Sequence, residues 1–128
     1  MKNRHIPEKY LKKLKLEGIL IAEPEVRFTL AYLDKKDRLL GRDWYKGSLV
    51  LSEKRIVLLS KQVKFLNIKR KDERFSQFRV NEDNAACLTL VYTAGHDDLS
   101  KADAAKVVIQ VFTPQAPDLL QQLKDRAK

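Results

Sequence analysis

The chain has 128 residues, 44% of them hydrophobic and 34% charged, with a net charge of +9. That length suits one domain able to bury a core without disulfide staples, and a single cysteine excludes an intrachain disulfide. No stretch approaches the ~20 apolar residues of a bilayer-spanning helix, and no apolar run follows the basic N-terminus, so a secretory leader is not expected.

A helix is expected over Ile6 to Gly18. Pro7 suits the first helical position, where its missing N–H is no loss, and Gly18 suits the stop. Tyr10, Leu11 and Leu14 share one face, with Lys9, Lys12, Lys13 and Lys15 around it. Such a helix either docks its apolar stripe on its own domain or lies on an anionic membrane. Residues 1–18 read as a helical extension and 19–128 as the main domain.

Ile19 to Ala22 is a brief apolar run that Pro24 should end. Val26, Phe28, Leu30 and Tyr32 alternate with Arg27, Thr29 and Ala31, the period of a strand with one face in the core. Asp34 to Arg38 is a polar loop, and Leu39 to Asp43 leads into Trp44 and the next strand. From Tyr45 to Leu66 the pattern is strand, tight turn, strand, second turn and a further strand. Ile56 to Leu59 is continuously apolar, as in a strand buried on both faces. Val63 to Ile68 alternates again. Phe75, Phe78 and Val80 suit a short fifth strand, and Asn81 to Asn84 a turn. Cys87 to Thr93 and Lys106 to Thr113 read as the last two strands, joined by a loop over Ala94 to Ala104. Ala116, Leu119, Leu120, Leu123 and Ala127 then mark the apolar stripe of a terminal helix, with Asp118 in its first turn and Lys124 and Arg126 near its end.

Gly47-Ser-Leu-Val-Leu-Ser-Glu-Lys-Arg-Ile-Val-Leu-Leu resembles the signature of pleckstrin-homology-like domains, in the GRAM and bacterial branches. There a glycine precedes an apolar strand, a short polar turn follows, and a second apolar strand returns. The resemblance runs from about Val26 onward. It implies a mainly β fold: about seven antiparallel strands in two near-orthogonal sheets, a sandwich or barrel, capped by the C-terminal helix, with the N-terminal helix as an addition. The sole tryptophan, Trp44, precedes the hairpin, whereas many eukaryotic members carry one in the final helix. A narrower similarity is to archaeal taxis proteins of the CheF type, which couple response regulators to the archaellum motor.

Two basic regions are the candidate sites. Lys36-Asp37-Arg38 matches the Lys/Arg-x-Arg ending of phosphoinositide-binding members, with Lys35 before it and Arg42 after it; converging lysine and arginine donors can grip a phosphate. The second region runs from Lys61 to Arg79 and contributes Lys64, Lys69, Lys71 and Arg74. It either attracts anions, from lipid or nucleic acid, or is a solvated face. Phe75 and Phe78 are either core or a base-stacking platform. His96, Asp97, Asp98 and Asp103 lack a fixed geometry for a metal, and His5 is expected to be remote and mobile. Cys87, inside an apolar strand, reads as a buried structural thiol. No nucleophile, paired-carboxylate or glycine-rich phosphate pattern is present. The expectation is a non-enzymatic, cytoplasmic interaction or adaptor domain without cofactors, bound to a protein partner and peripheral to an anionic membrane. Anionic-lipid binding, a taxis adaptor role and nucleic-acid binding are the alternatives.

Overall fold

The computed structural model describes residues 5–93 and 104–127. Helix α1 (Glu8–Glu17) precedes strands β1 (Ile19–Leu33), β2 (Leu39–Ser52), β3 (Arg55–Ser60) and β4 (Val63–Lys69). A single 3-10 turn (Glu73–Ser76) leads to β5 (Arg79–Val80), β6 (Cys87–Thr93), β7 (Lys106–Phe112) and helix α2 (Ala116–Ala127). The seven strands form one antiparallel sheet in the order β4-β3-β2-β1-β7-β6-β5. Its two edge strands do not pair, so the fold is sandwich-like and open, and the closed-barrel alternative drops out.

The long strand β1 is shared by both halves of the sheet. It pairs with β2 from Ile19 to Leu33, and its second half also pairs with β7, from Arg27↔Phe112 to Leu33↔Lys106. The strand does not stop at Pro24. The register instead shifts between Glu23 and Val26, and a proline is tolerated in such a bulge because no ladder N–H is required of it there. Two side-chain hydrogen bonds fasten the bulge. Ser48 Oγ donates to the Pro24 carbonyl at 2.6 Å, and Thr113 Oγ1 donates to Glu23 Oε1 at 2.6 Å, just ahead of α2.

The continuous apolar run in β3 is explained by two cores on opposite faces. Ile56 and Leu58 join the main core with Phe28, Leu30, Leu49, Leu51, Ile68, Leu88 and Ile109. Val57 and Leu59 turn the other way, onto Ile6, Leu14 and Val50, with Tyr10 and Leu11 alongside. The apolar stripe of α1 is thus spent on its own sheet. Leu14 is wholly buried and contributes about 2 kcal/mol. Pro7 is the N-cap, one residue ahead of the position its lack of an N–H suggests. Gly18 ends α1 at φ 92°, a left-handed conformation that glycine adopts without a Cβ penalty. A buried ion pair locks α1 to the β2–β3 turn: Arg55 Nη2 lies 2.8 Å from Glu17 Oε2, and Ser52 Oγ donates to Glu17 Oε1 at 2.9 Å.

Ala116, Leu119 and Leu123 of α2 enter the main core, while Leu120 is half-buried and Ala127 exposed. The expected fifth strand is shorter than its apolar spacing suggests. Asp72 accepts from the Arg74 backbone N–H at 2.9 Å and nucleates the 3-10 turn, so only Arg79 and Val80 remain extended. Phe75 and Phe78 are both core residues. Cys87 is buried, as its setting predicts.

Candidate interaction surface

The candidate basic residues fall in separate places. At the β1–β2 turn, Asp34 organises the backbone. Its carboxylate accepts from the N–H groups of Lys36 (2.8 Å) and Arg38 (2.9 Å) and from Arg38 Nε (2.8 Å). These bonds, the Arg38 backbone N–H foremost, hold the Asp34 carboxyl below its ordinary range. Asp37, at φ 61°, takes the Lys106 ammonium at 2.8 Å. The loop therefore neutralises much of its own charge, leaving Lys35 and Lys36 exposed and Arg38 committed to Asp34. Arg42 is exposed on β2.

The second basic region is divided along β4. Lys64 lies near its start, where its ammonium sits over the Tyr10 ring at 4.1 Å. Lys69, opposite Arg55, is at its far end, about 17 Å away at the rise of a strand. Lys71 follows Lys69 and is exposed. Arg74 forks onto Asp72 at 2.8 Å and covers the Tyr92 ring at 5.2 Å. Lys64 is thus apart from Lys69, Lys71 and Arg74, and with Phe75 and Phe78 in the core this region presents neither phenylalanine for base stacking.

What the fold does bring together is a groove of about 790 Å³ at the β3–β4 turn, lined by His5, Trp44–Lys46, Ser60–Val63 and Phe65. Its floor is aromatic. The rings of Tyr45 and Phe65 are 4.7 Å apart, and each packs on Phe28, at 5.3 and 5.2 Å. Burial foremost, and then the Asp43 carboxylate, holds the Tyr45 phenol above its ordinary pKa. Trp44 stacks on Phe112 at 5.8 Å yet remains 66% exposed. Lys46 and Lys61 supply positive charge at the rim.

Lys61 and Gln62 form the tip of the β3–β4 hairpin with φ of 48° and 70°. Two consecutive positive φ values are those of a type I′ turn, a place usually filled by Asn-Gly; a residue with a Cβ there costs on the order of 1 kcal/mol. His5 holds the strained turn. Its carbonyl accepts from Gln62 N–H at 2.8 Å and its Nδ1 from Lys61 N–H at 3.1 Å, which places the neutral ring's proton on Nε2. His5 is accordingly buried and not the mobile residue its terminal position suggests, because the hairpin tip closes over it.

Of the five large hydrophobic residues that are exposed among the described residues, four lie on two strands: Trp44 on β2 and Val63 at the start of β4 line the groove, and Leu39 and Leu40 are at the start of β2, with Leu39 about 17 Å from Trp44 at the rise of a strand. A concentration of that kind marks an interaction surface more often than scattered single residues do. The chain matches no family model and no curated protein. Sequence reading missed the groove, although one signal was available. Trp44 lies between Arg42 and Lys46 at strand spacing, and an aromatic in the phase of two charges is placed on a solvent face.

Among the described residues no group of three or more His, Cys, Asp or Glu side chains is placed to hold a metal ion. His96, Asp97, Asp98 and Asp103 lie outside the described residues, as does most of the expected 94–104 loop. No described helix is long and apolar enough to cross a membrane.

Proposed function

We propose that the chain is a non-catalytic interaction domain of the pleckstrin-homology-like kind, which docks a protein partner on the aromatic and basic surface around Trp44. The observation that carries this reading is the pairing of exposed Trp44 and Val63 at a groove rimmed by Lys46 and Lys61, with exposed Leu39 and Leu40 further along the same strand β2. Aromatic anchors with a polar, charged border are the usual composition of a protein-binding patch. Seven antiparallel strands with a helix after the last one support the domain type. An adaptor between a response regulator and a motor is one form of this role, and it would use the same surface.

The basic rim also favours an anionic membrane surface as a second reading, and one experiment separates the two. A photo-crosslinking amino acid replaces Val63, and in a control Lys124 on the exposed side of α2, in the cells that make the protein. Protein-sized adducts at Val63 and not at Lys124 are the expected result. Adducts at neither position, with co-sedimentation on anionic but not neutral vesicles, would replace the protein partner by a lipid surface.

A further inference from the structure

The pairing register leaves a strand edge open beside the groove. β2 is paired with β1 from Leu39 to Ser52, but β3 joins it only from Ser48 onward. Over Leu39–Gly47, alternate backbone N–H and C=O groups point away from β1, and no strand among the described residues meets them. The lower end of this edge is closed by Ser60 Oγ, which donates to the Lys46 carbonyl. From Gly41 to Gly47 the register with β1 is unbroken, without proline or bulge, a span of about 20 Å.

An unpaired edge of this length is a template for another strand, and soluble proteins ordinarily shorten, bulge or cover such edges. Here the edge carries exposed Leu39, Leu40 and Trp44 instead. Its side chains alternate, with Arg42, Trp44 and Lys46 on one face and Gly41, Asp43 and Tyr45 on the other. At its lower end lies the groove, with Val63 and Phe65 opposite Trp44 and Tyr45.

We propose that this edge receives an extended acidic segment of a partner protein, which adds to β2 as a further strand and sets one apolar side chain into the groove. The inference rests on the interaction role above and specifies its site and partner chemistry. Backbone pairing supplies affinity in strand addition, and alternate side chains supply selectivity. Residues opposite Arg42 and Lys46 face two positive charges, with Lys61 a third at the rim, and opposite charges across strands stabilise while like charges do not. That rule disfavours a second copy of this chain: a two-fold pairing centred on Trp44 sets Arg42 of each copy against Lys46 of the other, between molecules of charge +9. A lipid surface offers no extended backbone to pair with the edge.

The test uses two display libraries of eight-residue segments, one alternating Asp or Glu with apolar residues and one alternating Lys with the same apolar residues. At least tenfold enrichment from the acidic library is expected. With the best acidic peptide bound, amides at alternate positions of Gly41–Tyr45 should exchange at least tenfold more slowly. Methylating one alternate set of peptide backbone nitrogens should cost tenfold or more in affinity, and methylating the other set little. Arg42→Glu with Lys46→Glu should weaken binding at least tenfold. Equal enrichment from both libraries, or binding without protection of β2, overturns the inference. So does protection in the protein alone that grows with its concentration alongside a dimer in sedimentation, which would assign the edge to a second copy. Protein adducts at Val63 together with an unprotected β2 would remove this inference and leave the interaction role standing, whereas no adducts at Val63 would remove the role itself.

Discussion

Replacing Gly47 by alanine should destabilise the protein by about 3 kcal/mol, through steric overlap alone. Gly47 lies on β2 opposite Val26, with an ordinary φ that alanine adopts freely. A Cβ built there meets the Leu59 carbonyl oxygen of β3 and comes within 2.9 Å of Phe28 Cε1. Neither neighbour can yield cheaply. Leu59 is backbone in the β2–β3 ladder, whose first pair is Ser48↔Leu59. Phe28 is fully buried and packed between Tyr45 and Phe65. Overpacking costs about 1–3 kcal/mol, and prising the strands apart strains one or two ladder hydrogen bonds at about 1 kcal/mol each. Loss of chain entropy in the unfolded state returns about 0.5–1 kcal/mol. The net is about 3 kcal/mol, or roughly 10 °C in melting temperature for a chain of this size. Urea unfolding followed by circular dichroism should show the midpoint falling by about 1.5 M at an m-value of about 2 kcal/mol/M. A variant within about 0.5 kcal/mol of the parent, with the same m-value, would refute the close approach of β2 and β3 at this point.

Four further outcomes can be checked. Glu17→Ala should cost about 3 kcal/mol in denaturant titration, because it leaves the Arg55 guanidinium buried without its carboxylate; a near-neutral result would mean that the pair is solvated. Leu123→Asp should unfold the protein or nearly so, since the position is fully buried, while Leu120→Asp at a half-buried position should cost clearly less in melting temperature. Cys87 should react slowly with a thiol reagent in the native state and rapidly in urea, and equal rates would contradict its burial. Tyr10 should make stability fall in alkali. Burial foremost raises its pKa above 10.0, against the opposing charge of Arg55. The folded state therefore holds the phenolic proton more tightly, and the stabilisation present below the unfolded pKa is lost as pH rises through the folded one. Tyr10→Phe should flatten that alkaline loss in melts across a pH series. It should also be nearly neutral at pH 7, because the buried hydroxyl makes no well-aligned hydrogen bond.

Elements built on local periodicity were legible from the residues. The alternation from Val26 to Tyr32, the apolar run Ile56–Leu59, Cys87–Thr93 and the stripe of α2 each lie where the pattern places them. β1 was read as two pieces because Pro24 looks like a stop, and only the Glu23–Val26 bulge shows how the chain passes it. Phe78 and Val80 carry strand spacing, yet Phe75, three residues before Phe78, falls in the 3-10 turn made by the local bond from Arg74 to Asp72. The groove was hidden for a different reason. Its walls come from His5, from Trp44–Lys46 and from Ser60–Val63 with Phe65, and what joins them is strand register, a long-range property. The same geometry separated Lys64 from Lys69: neighbours in sequence became opposite ends of one strand.

The sharing of β1 between both halves of the sheet has a consequence for the order of assembly during synthesis. The meander β1–β4 consists of sequential hairpins and can close as soon as it emerges. The second half of β1, however, must wait for β7, with Phe28 pairing to Val111 across most of the chain. Such distant closure is slow relative to hairpin formation. Until β7 arrives, the nascent protein presents Arg27–Leu33, paired with β2 on one side only, as an open edge whose core face carries Phe28, Leu30 and Tyr32. That interval is when a chaperone would have most to protect, and variants that weaken β7 or α2 should lower the yield of folded protein before they lower its melting point.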